Sequence, residues 1–235
     1  MSFIDIHTHI LPCIDDGAKT IEESVALLEQ EKSNGVELVV CTPHFYTDYS
    51  DFDEHIKRVK ESFSALVEYT KFRDLPQIIL GYEVAYFLNM YHSTDIAECT
   101  IGNSNYLLLE LPFSKPLNVT MLNDIKKLSD DVGFNIIIAH IERYSHDKLY
   151  KKLLALVKNN TVYAQVNAES LFSDERKCVE KLLKANLVSF VASDAHSTEK
   201  RPVRVSKALS EIKTKHPRAY DKIISETEEL LTYIR

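Results

Sequence analysis

Residues 135–140 read NIIIAH, and residues 106–111 read YLLLEL. Both are short, unbroken apolar runs. A strand with one wet face alternates apolar and polar side chains, so an unbroken run implies a strand covered on both faces, as in a parallel sheet layered with helices. Both runs also carry a residue that an apolar core does not want: His140 closes the first, and Glu110 sits in the second. A buried carboxylate without a partner is costly, so Glu110 calls for a cation or a dense set of donors.

Outward from these runs the same design repeats. Strand candidates are Phe3–Ile6, Glu37–Cys41, Gln77–Leu80, Tyr106–Leu111, Asn135–Ala139, Val162–Val166 and Leu187–Ala192. Amphipathic runs separate them. The best marked spans Thr20–Asn34, with Thr20 and Glu23 spaced as a capping box, Ile21, Val25 and Leu28 on one face, and Gly35 as its stop. Further helices are expected near 53–70, 119–132, 147–158, 174–185, 202–214 and 217–233. Residues 84–105 read as an irregular excursion. Seven strands alternating with helices predict an α/β fold in one domain over residues 1–235, a distorted (β/α)7 TIM-like barrel one strand short of the usual eight. A doubly wound open sheet is the alternative.

In such barrels chemistry collects at the C-terminal ends of the strands. There the chain places His7 and His9, His44, Glu83, Glu110, His140 with Arg143, Asn167, and Asp194 with His196. Residues two apart on a strand share a face, so His7 and His9 can reach one ion. Imidazoles mixed with carboxylates suit zinc, iron or manganese. A lone H-x-H is a weak signal; nearly every strand ending in a ligand type is a strong one. His55, His92, His146 and His216 fall in helical or loop context and are expected to be solvated. Asp48, Asp51 and Asp53 read as a polar loop.

Composition excludes several alternatives. Apolar residues make up 45% and charged residues 27%, which argues against disorder. The net charge of −7, with no basic block, argues against nucleic-acid binding. Cys13, Cys41, Cys99 and Cys178 form no C-x-x-C pair, and reduced thiols in a cytoplasmic protein are expected. Neither a signal peptide nor a membrane span is expected. A cysteine phosphatase needs C-x5-R, but the matching positions hold Lys19, Thr47, Asn105 and Lys184. There is no P-loop and no G-x-S-x-G elbow.

The stretches DIHTHILPCIDDGAKTIEES, CTPHF, GYE, LLLELPF, IIAHIERY and FVASDAH occur in that order along nearly the whole chain. In them the chain resembles the polymerase and histidinol phosphatase (PHP) superfamily, and within it the capsule-operon tyrosine-protein phosphatases of Gram-positive bacteria. The resemblance departs at Cys13, where the family usually has glycine or another small residue, and at the apolar EVAYF segment. It implies a manganese-dependent phosphoric monoester hydrolase with a three-ion cluster, iron, zinc or magnesium being alternative ions. By position, His7, His9, Glu83 and Asp194 would hold the first ion. Glu83, Glu110 and His140 would hold the second, with Glu83 bridging. Asp16, preferred over Asp15, would hold the third with His44 and His196. Arg143 and Arg201 match phosphate-contacting positions, and Asp194 or a metal-bound water would donate the proton. The implied partner is a phosphotyrosine-bearing tyrosine kinase of capsule or exopolysaccharide synthesis. Competing readings are a histidinol-phosphate-type phosphoesterase, a non-catalytic metal-binding regulator, and an amidohydrolase-type enzyme, which would usually need a bridging lysine where this chain has Glu110.

Overall fold

The computed structural model describes residues 3–46 and 52–234. Asp48 and Asp51, read above as loop residues, lie outside the described residues; Asp53 opens a helix instead. Among the described residues nine strands follow one another: β1 (Phe3–Thr8), β2 (Val36–Cys41), β3 (His44–Phe45), β4 (Gln77–Leu80), β5 (Glu83–Ala85), β6 (Tyr106–Glu110), β7 (Asn135–Ile138), β8 (Val162–Asn167) and β9 (Phe190–Ala192). All their pairings are parallel. They form two sheets, in the orders β1-β2-β4 and β3-β5-β6-β7-β8-β9.

Among the described residues nine strands arise where seven were expected, because two short strands, β3 and β5, follow the expected second and third after a break. Pro43 lies between β2 and β3 and has no N–H for a ladder. Gly81 lies between β4 and β5, where a Cβ would stand 3.0 Å from a Val40 methyl and 3.3 Å from the Ile101 backbone. β1 meets the far edge of the larger sheet through single contacts: Asp194 N–H donates to His7 O and His9 N–H to Ala195 O, both at 2.9 Å. The expected excursion contains β5 and short 3-10 turns at Met90–His92 and Asp95–Cys99.

The helices are α1 (Ile21–Ser33), α2 (Phe52–Thr70), α3 (Val119–Lys127), α4 (Tyr150–Lys158), α5 (Arg176–Lys184), α6 (Val205–Lys215) and α7 (Pro217–Ile234). At the start of α1, Thr20 Oγ1 accepts from Glu23 N–H at 3.3 Å. The Glu23 carboxylate accepts from Lys19 N–H at 2.7 Å, one residue earlier than a strict capping box. α3 passes into a π-type turn over Leu128–Val132, and Gly133 at φ 90° ends it.

Unbroken apolar strands produce two cores. Ile4 and Ile6 of β1, Leu38 and Val40 of β2, Leu108 of β6, Ile137 of β7 and Phe190 of β9 join in one buried cluster. Leu230 of α7 belongs to that cluster, and Leu231 and Ile234 pack against it. Alternate residues of the same strands, such as Val39, Leu109 and Ile138, meet the helices in a second, larger cluster. His55 departs from expectation: it is buried on α2, with its ring 5.8 Å from that of Phe45.

Candidate metal centre

The loop after β1 doubles back sharply, Ala18 N–H donating to His9 O at 3.1 Å. A Cβ on Gly17 would lie 1.9 Å from His9 O, so only glycine fits there. Cys13 adopts φ +60°, the left-handed region that costs a β-carbon residue energy. His140 and Asp194 also stand at positive φ, +33° and +54°. Strained backbone of this kind, at about 1–3 kcal/mol per residue, persists where surrounding structure holds it, commonly at functional sites.

The strand ends converge on Glu83, which is buried. His7 Nε2 and His9 Nε2 lie 3.2 Å apart, each 3.3 Å from Glu83 Oε2 and 3.5 Å from Asp194 Oδ1. His140 Nε2 lies 2.9 Å from Glu83 Oε1 and 3.6 Å from Glu110 Oε1. His44 Nδ1 approaches Glu83 Oε2 at 2.9 Å and Glu110 Oε2 at 3.9 Å. Asp16 Oδ1 stands 3.2 Å from His196 Nε2 and 3.5 Å from His44 Nε2. Every expected ligand position thus lies in one continuous cluster.

The donor chemistry fits cations. His196 Nδ1 donates to the backbone oxygen of Asp194 at 2.9 Å, so its Nε2 carries a lone pair, and that buried atom has no hydrogen-bond partner. Donors at about 2.0–2.2 Å from one ion stand about 3.0–3.5 Å from each other, the spacing found around His7, His9, Glu83 and Asp194. Three donor groups bring their ligand atoms within 4.8 Å of one another: His7, His9 and Asp194; His44, Glu83 and Glu110; and His9, Asp16, His44 and His196. The middle group pairs the two glutamates with His44 rather than His140, although His140 reaches both carboxylates.

The electrostatics point the same way. Burial pulls the His9 imidazole down, but its hydrogen bonds to Asp15 and Glu83 outweigh burial and lift it to about 10. Burial raises Glu83, yet the charge of His7 and the hydrogen bonds from His140 and His44 hold it well below the usual carboxylate range. Burial, and then the charge of Glu83, push Glu110 up to about 7. Crowded carboxylates competing for positive charge are what a resident cation relieves.

Arg143 and Arg201 both donate to Asp194 Oδ2, Arg143 at 2.8 Å. They line a cleft of about 700 Å³ with Glu83, Glu110, Tyr46 and Phe113. Phe113 is exposed, stacks on Tyr144 at 5.5 Å with rings 4° apart, and lies 5.4 Å below the Arg143 guanidinium.

Asp15 and Asp16, left close to interchangeable by sequence, do different work. Asp15 Oδ2 accepts from His9 Nδ1 at 2.7 Å and from His44 N–H at 3.1 Å, while Oδ1 accepts from Gly17 N–H at 2.9 Å. It is spent on orienting two ring-bearing segments. The sequence reading does not single out Gln165 or the fully buried Glu142, and it shows Asn167 only as a strand end. Their signal was polarity within otherwise apolar segments, which VYAQVN shows and which a second-position reading of β8 would have caught.

The sequence profile of the family "Capsular polysaccharide synthesis, CpsB/CapC" matches residues 3–231. The chain belongs to the CpsB/CapC family. Among CpsB/CapC relatives, the tyrosine-protein phosphatase CpsB of Streptococcus agalactiae serotype III (strain NEM316) is 32% identical over 219 residues, covering 87% of each chain. The tyrosine-protein phosphatase YwqE of Bacillus subtilis (strain 168) is 28% identical, covering 97% of this chain and 91% of YwqE. A solved structure from the work on YwqE of Bacillus subtilis and CpsB of Streptococcus pneumoniae, described as unique metal-dependent tyrosine phosphatases, matches with a TM-score of 0.84 at 24% identity. That match covers 99% of this chain and 96% of the other. Amidohydrolase 2 from Bifidobacterium longum subsp. infantis matches at 0.54 with 15% identity, a likeness of fold alone.

Proposed function

We propose that this chain is a manganese-dependent protein-tyrosine-phosphatase acting on a tyrosine kinase of capsule or exopolysaccharide synthesis, in the cytoplasm. Membership of the CpsB/CapC family supports the reaction class. The carrying observation is the cluster itself: three donor groups, linked through His9 and His44 and packed around Glu83, at the floor of a cleft with two arginines and an aromatic wall. In this reading His7, His9, Glu83 and Asp194 hold one ion, Glu83, Glu110 and His140 a second, and Asp16, His44 and His196 a third. We also read the strand array as one domain of the distorted (β/α)7 type, its two sheets being segments of one ring. Four unpaired cysteines suit a reducing compartment. Among the described residues no helix is long and apolar enough to cross a membrane.

Bound divalent ions would polarise the phosphate and supply hydroxide at neutral pH. The chain's own groups do the rest. Glu83 presents one oxygen to His7 and His9 and the other to His140, which sets the spacing of the two deep positions. Arg143 and Arg201, fastened to Asp194, keep further N–H donors for phosphate oxygens as charge shifts in the transition state. Phe113 offers an aryl face beside Arg143, a surface suited to the ring of phosphotyrosine. Asp194 Oδ2 accepts from Arg143, Arg201 and Asn167, so Asp194 serves as ligand and anchor. A phenolate, with an ordinary pKa of about 10, departs without a strong acid.

The test is turnover of a tyrosine-phosphorylated peptide beside histidinol phosphate, in matched manganese. Preference for the peptide is expected. Preference for histidinol phosphate would move the chain to the other phosphoesterase reading, and turnover of neither would favour a metal-binding regulator.

A further inference from the structure

β8 runs behind the cluster and turns two buried amides, Gln165 and Asn167, to the same face. Their orientation follows from one group that has no choice. The backbone N–H of His140 can only donate, and it lies 2.7 Å from the outer end of Gln165. That end is therefore the carbonyl oxygen, Oε1. The same oxygen lies 3.2 Å from His7 Nδ1, so Nδ1 carries the proton there. In the neutral imidazole His7 Nε2 then keeps the lone pair, facing His9, Glu83 and Asp194.

Gln165 Nε2 is a donor, and Asn167 Oδ1 accepts from it at 2.8 Å. The Asn167 amide is then bound to donate through Nδ2 to Asp194 Oδ2 at 2.7 Å. Buried Glu142 pins this strand end, its Oε1 accepting from Asn167 N–H at 2.9 Å and from Ser170 Oγ at 2.6 Å.

We infer that Gln165 is a positioning residue that sets the His7 tautomer with one end of its amide and, through Asn167, the pose of Asp194 with the other. One backbone N–H on β7's exit thereby orders groups on β1, β8 and the β9 exit before any ion arrives. The inference rests on the metal-phosphatase reading for its consequence, while the tautomer is a property of the metal-free chain.

Two variants separate the two ends. Gln165→Met keeps the bulk and removes every hydrogen bond. Gln165→Glu keeps an acceptor for His140 N–H and His7 Nδ1–H but has no donor for Asn167. The readouts are the His7 tautomer, by long-range nitrogen–proton correlation in metal-free protein, manganese affinity by titration, and kcat and KM on a phosphotyrosyl peptide. Gln165→Met is expected to lose the single His7 tautomer and about 10–100-fold in manganese affinity. Gln165→Glu is expected to restore both, with kcat still below wild type because Asn167 turns away from Asp194. Wild-type tautomer and affinity in Gln165→Met would overturn the inference. Should Gln165→Met fail to fold, Gln165→Glu decides alone: a retained tautomer with lowered kcat supports it, and a mixed tautomer or wild-type kcat overturns it. A wild-type chain that binds no manganese would sink the proposed function instead, leaving the tautomer measurement standing.

Discussion

The two ends of the strand array are finished with opposite chemistry. At the N-terminal end α7 lays Leu230, Leu231 and Ile234 against Ile4, Tyr106 and Phe190. At the C-terminal end the same strands deliver His7, Glu83, Glu110, His140 and Asp194, all buried. The first end gains from dehydration, at about 25 cal/mol per Å² of apolar surface. The second loses by it, since buried charges must be paired or ligated. The comparison teaches that the apolar end carries stability, so that the polar end is free to hold a crowded set of ligands. Damage at the two ends should therefore register in different measurements.

The strongest break of that contrast is removal of metal. Chelation is expected to abolish phosphatase turnover, and manganese to restore it, because every donor in the cluster is nitrogen or oxygen. Turnover by protein shown to be metal-free by elemental analysis would refute the polar end's assigned role.

Next in size, Glu83→Ala should cost more bound metal and more turnover than His44→Ala. Glu83 contacts His7, His9, His44 and His140, whereas His44 sits at the cluster's rim. Equal losses of metal content in the two variants would remove Glu83 from the bridging position.

Arg143→Ala should lower turnover by about 10²–10³ while metal content stays at the wild-type level, by analogy with loss of an oxyanion donor. Steady-state kinetics with metal analysis checks this. Wild-type turnover would return Arg143 to a purely structural ion pair with Asp194.

Leu230→Ala tests the other end. It should cost about 2–5 kcal/mol in denaturant unfolding and leave metal content unchanged at temperatures where the chain stays folded. Loss of metal in the folded variant would show the two ends to be coupled.

The smallest effect is expected from serine at Cys13, Cys41, Cys99 and Cys178 together, where turnover should persist. Inactivation by alkylation of one cysteine with metals still bound would contradict hydrolysis at a metal cluster.

Much of this was legible in the chain. Unbroken runs such as NIIIA identify strands covered on both faces, and their terminal polar residues identify the chemistry, because both signals are local: a few neighbouring side chains state whether a segment can face water. The capping of α1 was legible for the same reason, Thr20 and Glu23 being three residues apart. His55 was not, because its burial depends on Phe45, a residue brought to it from another element.

The sequence by itself determined the alternation of the seven main strands with helices, the residue types at each strand end and the family. Tertiary structure alone decided the division of labour among them. Asp15 and Asp16 are adjacent and chemically alike, and only the fold of the Gly17 loop turns one toward His9 Nδ1 and the other toward His196. Gln165 acquires its meaning from a backbone N–H 25 residues away. Hydrogen bonds are directional and act over about 3 Å, so which atom receives which proton exists only once the strands are side by side.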